Sequence, residues 1–215
     1  MKTFISPLAL GLLVLTVITA AAGLVVVPAG TTLPVHWGPS GAADAFASRE
    51  VALAMPVVIT LVLWAIFIAI ERFAPKAQVE RSRAMSRAAL TMLSAIFLCI
   101  AVVTVLTGMG VAVEMVRVLA IGVGLLLVVL GNAMPKSQPN SFAGIRTRTT
   151  LADPAIWHET HRLTGLLTMI GGAILVVAAL LVPVPVLIWV ILACAIVPIV
   201  VGLIYSHRLA RRQAS

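Results

Sequence analysis

Charge is scarce in this sequence. Only 10% of the 215 residues are Asp, Glu, Lys or Arg, against about 25% in an ordinary soluble domain. With a mean hydropathy of +1.15, that shortage excludes a soluble enzyme, a disordered tail and a nucleic-acid-binding domain. Cysteine is nearly lacking. Cys99 and Cys194 each lie inside an apolar run without a partner at metal-ligand spacing, so both read as small packing residues rather than a disulfide pair. The long runs lack the alternation of a transmembrane β-barrel. What is abundant is apolar surface. At 61% hydrophobic, the chain holds about 131 apolar residues, enough for about six spans of ~20 residues each.

Six runs are visible, at 4–28, 51–70, 88–108, 111–131, 163–183 and 185–205. A cleaved signal peptide is the rival reading of the first, with Lys2 before it and Thr19-Ala20-Ala21-Ala22-Gly23 as a small-residue site. The apolar character continues through Leu24-Val25-Val26-Val27, so we expect an uncleaved span. Runs three and four, and five and six, are separated by a residue or two and should form tight hairpins. Pro183 and Pro185 suit such a turn. Placing the N-terminus inside puts thirteen of the fifteen Lys and Arg residues on the cytoplasmic side, leaving Arg49 and Arg117 outside. The expected fold is therefore all-α: a polytopic membrane protein of six transmembrane helices, with both termini cytoplasmic. Spans pack in lipid through small residues, and Gly122, Gly124, Gly165, Gly171 and Gly172 are the candidates.

Two segments are large enough to hold chemistry. The outer one, 29–50, is punctuated by Pro and Gly and should be turns rather than helix. Trp37 is suited to the headgroup level. His36, beside it, is either a loop histidine held by backbone carbonyls or a direct binding group. The basic stretch between Arg72 and Arg87 reads as partly helical and as a set of anchors to anionic headgroups. Glu114 and Arg117 fall in the first turns of the fourth run and are three apart, so they can pair. They serve either as a structural pair or as a link from Arg117 to Asp44 or Glu50.

The inner segment, 132–162, carries Pro135, Pro139 and Gly144 in its first half, which argue against helix there. Asp153-Pro154 is a helix start, the Asp accepting from free N–H groups and the Pro losing no hydrogen bond. Trp157 and His161 then share a face, with Gly165 a turn further on, and Glu159 can pair with Arg162. We expect Asn140, Gly144, Arg146, Trp157, His161 and Gly165 to build one cytoplasmic platform. Gly144 would allow the turn. Arg146 would cap carbonyls or the end of the fourth span, and its plane could stack on Trp157. The platform either ties spans together or also docks a regulator through Arg148 and His158. A metal reading of His158-Glu159-Thr160-His161 lacks the His-Glu-x-x-His spacing and a third inner ligand, so no metal or cofactor is assigned.

Two stretches carry a resemblance. Pro34-Val35-His36, Gly41, Asp44 and Ser48-Arg49 resemble a bacterial membrane domain of unknown function that commonly forms the N-terminal part of SdpI-like proteins. Arg49 stands where lysine is common. Asn140, Gly144-Ile145-Arg146-Thr147, Leu151, Trp157, Thr160-His161, Gly165 and Gly171-Gly172 resemble the SdpI family, with Arg148 where some relatives have proline. The resemblance implies a two-span N-terminal domain over 1–72, a basic linker over 73–87, a four-span region over 88–205 and a basic tail over 206–215. It implies a bacterial inner-membrane immunity protein or signal receptor, not an enzyme. A secreted antimicrobial peptide would be met outside by His36, Trp37, Asp44 and Arg49, and a winged-helix repressor inside. The alternative is a small transporter or exporter of a peptide or amphipathic solute. A metal-dependent membrane enzyme comes third.

Overall fold

The computed structural model describes residues 3–214, the last two by backbone alone; Lys2 and Ser215 lie outside the described residues. In chain order the elements are α1 (Pro7–Val26), β1 (Thr32–Trp37), β2 (Ala43–Ser48), α2 (Arg49–Phe73), α3 (Lys76–Gly108), α4 (Met115–Ala133), α5 (Arg148–Ala152), α6 (Pro154–Leu181) and α7 (Val184–Ala214). Among the described residues, six helices are long and apolar enough to cross a membrane, all but α5. Side-chain caps open several of them. Ser6 accepts from the Ala9 N–H ahead of α1, and Ser48 from the Val51 N–H ahead of α2. Asp153 accepts from the Ala155 and Ile156 N–H groups with Pro154 behind it, so α6 starts where the Asp-Pro pair places it.

Three boundaries differ from the sequence reading. The basic stretch is not a separate linker: α3 already begins at Lys76. Its Lys, Arg, Ala, Gln, Glu and Met residues are good helix formers whatever their charge. At 33 residues, α3 is ~50 Å long against a ~30 Å hydrocarbon core, so one end projects. The turn between α3 and α4 runs from Met109 to Glu114 rather than a residue or two. Gly110 (φ +84°) ends α3, the Val111 N–H returning to the Leu106 carbonyl and the Gly110 N–H to Thr107. Only Val182 and Pro183 separate α6 from α7, a tight hairpin. At the chain's end, α7 continues through the basic tail to Ala214.

The segment expected to be turns contains a hairpin. β1 and β2 pair antiparallel, Thr32 opposite Ser48 and Trp37 opposite Ala43, with irregularities on either side of His36. Leu33 is buried beneath it. This two-stranded sheet is the only β-structure among the described residues.

The helices pack as two groups of three. α1 and α2 lie on α3, while α6 lies on both α4 and α7; α3 against α4 joins the groups. In the first group Trp64 Nε1 donates to Ser94 Oγ at 3.1 Å, and Phe4 meets Phe67 edge-on. The second group closes on a glycine seam. A Cβ on Gly165 would lie 2.5 Å from the Gly131 carbonyl oxygen, and one on Gly172 would lie 2.5 Å from that of Gly124. The pairs are reciprocal and seven residues apart on each helix, so the backbones of α4 and α6 touch directly. Gly122 faces Ile96 of α3, and Gly171 faces Cys194 of α7. Gly131 was absent from the sequence candidates, although its spacing of seven from Gly124 was a usable signal.

Candidate functional site

The segment between α1 and α2 is built around the hairpin. The bulge at His36 aims its Nδ1 at Asp44 Oδ1, 2.6 Å away on the opposite strand, and both side chains are exposed. The imidazole N–H donates and the carboxylate accepts. Trp37 ends β1, and the Gly38–Gly41 turn follows, closed by the Gly38 N–H on the Ala42 carbonyl. The turn reaches the second helical group. A Cβ on Gly41 would strike Val184 Cγ1 at the start of α7, and its φ of +81° already favours glycine.

Both arginines in this region are held on helix ends. Arg49 Nη1 donates to the Val27 carbonyl at 2.8 Å and the Leu24 carbonyl at 3.3 Å, while its Nε donates to Glu50 at 2.9 Å. Arg117 Nη1 donates to the carbonyls of Ala179 and Val182, and its Nε to Glu114 at 2.7 Å. Each guanidinium thus satisfies C-terminal carbonyls of another helix, α1 and α6 respectively, and opposes the negative end of its dipole. The link from Arg117 to Asp44 or Glu50 is not made, because those carboxylates are engaged by His36 and Arg49. Nor is Glu114 inside a helical turn: it is the N-cap residue of α4, which starts four residues later than the apolar run. The three carboxylates stay exposed (51%, 57% and 61% for Asp44, Glu50 and Glu114) while the guanidiniums of Arg49 and Arg117 are turned in (16% and 27%).

Beneath the hairpin lies a cavity of about 350 Å³. Met55 and Ile59 of α2, Phe97 and Ile100 of α3, Leu119 of α4 and Ile188 of α7 are among its walls, with His36 and Trp37 above. The sequence carried no signal for it, since its walls come from four helices that meet only in the folded chain.

The segment between α4 and α6 is a continuous hydrogen-bonded structure. Asn140, almost fully buried, accepts from the Phe142 and Ala143 N–H groups at 2.9 Å and donates to the Gln138 carbonyl at 2.8 Å. Gly144 has φ +111°, and a Cβ there would strike His161 Nε2. That nitrogen accepts the Ile145 N–H at 3.0 Å, so Nδ1 carries the proton and donates to the Trp157 carbonyl at 2.8 Å. Trp157 Nε1 donates to the Ser137 carbonyl at 3.1 Å. Thr147 and Thr150 form a capping box for α5. The N-terminal end of α3 supports this segment: Gln78 Oε1 accepts the Ser141 N–H at 3.0 Å, and the Arg81 carbonyl accepts the Gln138 N–H.

Several expectations need correction here. The ring stacked on Trp157 is His161, with centroids 3.9 Å apart, and not the Arg146 guanidinium. Arg146 is exposed and donates to the Ser141 carbonyl, so it closes the loop rather than capping α4. Arg148, His158 and Glu159 are exposed as well. No ion pair joins Glu159 to Arg162 among the described residues. A metal at His161 would displace either the Ile145 N–H or the Trp157 carbonyl, since both ring nitrogens are engaged. Gly165 lies in the glycine seam and not in the loop.

Residues 136–206 match the SdpI/YfhL protein family, and residues 11–60 match the Domain of unknown function (DUF1648). The chain is 31% identical over 74 residues to the immunity protein SdpI of Bacillus subtilis (strain 168). The match takes in 34% of this chain and 36% of that protein, so the chain spans about a third of the length of the curated relative it matches. No solved structure matches the chain. Six apolar helices and this kinship make it a multi-pass protein of the bacterial cell membrane. The SdpI/YfhL match covers the hydrogen-bonded segment before α6, α6 itself and most of α7, the DUF1648 match covers the hairpin, and together they make the chain similar to SdpI-like proteins at both of its candidate sites.

Proposed function

We propose that the protein is a non-enzymatic immunity protein that protects its membrane from a secreted cationic, amphipathic peptide met at the outer hairpin. What carries this reading is the charge arrangement around the hairpin. Three carboxylates face outward, while the guanidiniums beside two of them are turned inward onto helix ends. Such a surface attracts cations. The likeness to an immunity protein supports the same role. Cells expressing the chain should grow at a peptide dose that arrests cells without it. His36→Ala should lower that protection at unchanged membrane level. Full protection by a variant changed at His36, Trp37 and Asp44 together would sink the hairpin's role. Faster uptake of the peptide, rather than protection, would favour the transporter alternative.

The proposal includes an orientation, with both termini cytoplasmic, and a division after residue 72 into a two-span and a four-span unit, the basic stretch belonging to α3 and the basic tail to α7. Thirteen of fifteen Lys and Arg residues support the orientation. After Cys99 and Cys194 are replaced, single cysteines at Ser40, Ser141 and Ser215 test it. An impermeant thiol reagent should label intact cells only at Ser40; labelling at Ser141 would reverse the topology.

The proposal also assigns the inner surface to a cytosolic winged-helix repressor. Arg148 and His158 are exposed and outside the hydrogen-bonded frame, so they are free to make contacts without holding the fold. Arg148→Ala and His158→Ala should reduce membrane recruitment of a fluorescent candidate regulator while protein yield is unchanged. Normal recruitment in both would leave the segment as architecture alone.

A further inference from the structure

The cavity under the hairpin has sides that differ. Four helices line it: α2, α3, α4 and α7. α2 packs on α3, α3 on α4, and α4 on α7, but no helix–helix interface joins α7 back to α2. Three sides are therefore closed by packed helices, while among the described residues no such packing closes the side between α2 and α7. Above, the hairpin turn bridges from the first helical group to Val184 at the head of α7. The space is thus a roofed cleft that opens sideways.

Its dimensions and chemistry suit one class of occupant. Lining residues run from Ala52 to Ile59 on α2 and from Phe97 to Thr104 on α3, a depth of ~10 Å at 1.5 Å per residue. An amphipathic helix lying in the interface buries its apolar face about 5–10 Å. The cavity's 350 Å³ is more than twice the roughly 150 Å³ of an apolar cavity that takes up benzene. The rim carries the outward carboxylates. Asp44 is paired to His36, which lines the cleft; Glu114 adjoins the lining residue Met115; Glu50 stands in the first turn of α2, at the end of the helix from which lining begins at Ala52.

We infer that this cleft is a lateral seat for the apolar side chains of a cationic amphipathic peptide already lying in the outer leaflet. The peptide's cations rest on Asp44, Glu50 and Glu114, and its large apolar side chains enter between α2 and α7. This deepens the immunity reading and rests on it: the peptide is taken from the membrane and not from water. An anionic phospholipid headgroup would meet the same carboxylates and be repelled.

The test uses the full chain in phosphatidylcholine nanodiscs. The probe is a dansyl-labelled synthetic Lys/Leu amphipathic helix, with binding corrected for empty discs. Leu119→Trp and Ile188→Trp fill the cleft from two helices, while Ile174→Trp adds the same bulk on an exposed face of α6. Each filled variant should bind about tenfold more weakly or worse, as expected for excluding one large apolar side chain, with Ile174→Trp unaffected. Melting temperatures taken in the same discs separate loss of fold from loss of seat. A diazirine-bearing probe on the unmutated protein should attach to lining residues of α2, α4 or α7. Attachment confined to α1 or α6, or wild-type affinity in both filled variants, would overturn the inference. So would a tightly held phospholipid lost from both filled variants while peptide binding stays unchanged. Cells protected equally well with the cleft filled would end this inference and leave the immunity reading standing. Probe binding in the cleft by a chain that protects no cells would do the reverse.

Discussion

Gly165→Leu should destabilise the protein strongly. Leucine is the better helix former by up to about 1 kcal/mol, so on propensity alone the substitution would help. Sterics decide the sign. The new Cβ would sit 2.5 Å from the Gly131 carbonyl oxygen, with Pro135 and Met134 at 3.2 and 3.3 Å. A carbonyl in a packed helix cannot swing away as a side-chain tip can. α4 and α6 must part, and the reciprocal Gly124–Gly172 contact loosens with them. We expect a loss on the order of 3 kcal/mol, read as a lower melting temperature and membrane yield. Gly11→Leu in α1 is the control, since nothing lies within 4 Å of its Cβ position. It should leave stability equal or higher. A Gly165→Leu protein that melts with the wild type would mean that the two backbones do not touch.

The second large effect centres on His161. His161→Phe keeps a ring against Trp157 but removes both nitrogens. The Ile145 N–H, with its residue only 5% exposed, loses its acceptor. Leaving such a donor unsatisfied costs roughly 1–3 kcal/mol. Gly144→Ala attacks the same point from the other side, by a strained φ and by contact with Nε2. The two changes should therefore be less than additive in a double-mutant cycle of thermal stabilities. Additivity to within about 0.5 kcal/mol would show that they do not share a contact.

The helices were legible because apolar length is written directly in composition, and the start of α6 because Asp153 and Pro154 each have one local use. The hairpin was hidden. Its second strand, Ala-Asp-Ala-Phe-Ala-Ser, is built from weak strand formers, and Pro34 interrupts the first. Its pairing rests on ladder hydrogen bonds and on buried Leu33, neither of which the residue types announce. The start of α3 is not marked by its charges, because a helix continues out of a membrane without difficulty when its residues favour it. At the inner segment, the spacing of four between Trp157 and His161 gave their shared face. It did not give the stacking partner: the histidine is fixed from both sides, whereas Arg146 sits in solvent with a nearby carbonyl to satisfy it. The cleft required two helical groups to meet, and no stretch of sequence contains that meeting.

The two arginine caps close at different moments of synthesis. Arg49 reaches back 22 and 25 residues to carbonyls that are already made when it emerges. The cap on the first helix can close as soon as the second begins to insert, so that contact needs nothing from downstream, although both spans still await α3 to pack on. Arg117 reaches forward 62 and 65 residues. Until α6 arrives, its guanidinium has only Glu114 for company, and the fourth span enters the bilayer with an unplaced charge near its end. Translation pauses or truncations before Val182 would leave that arginine exposed to the insertion and quality-control machinery, whereas those after it would not.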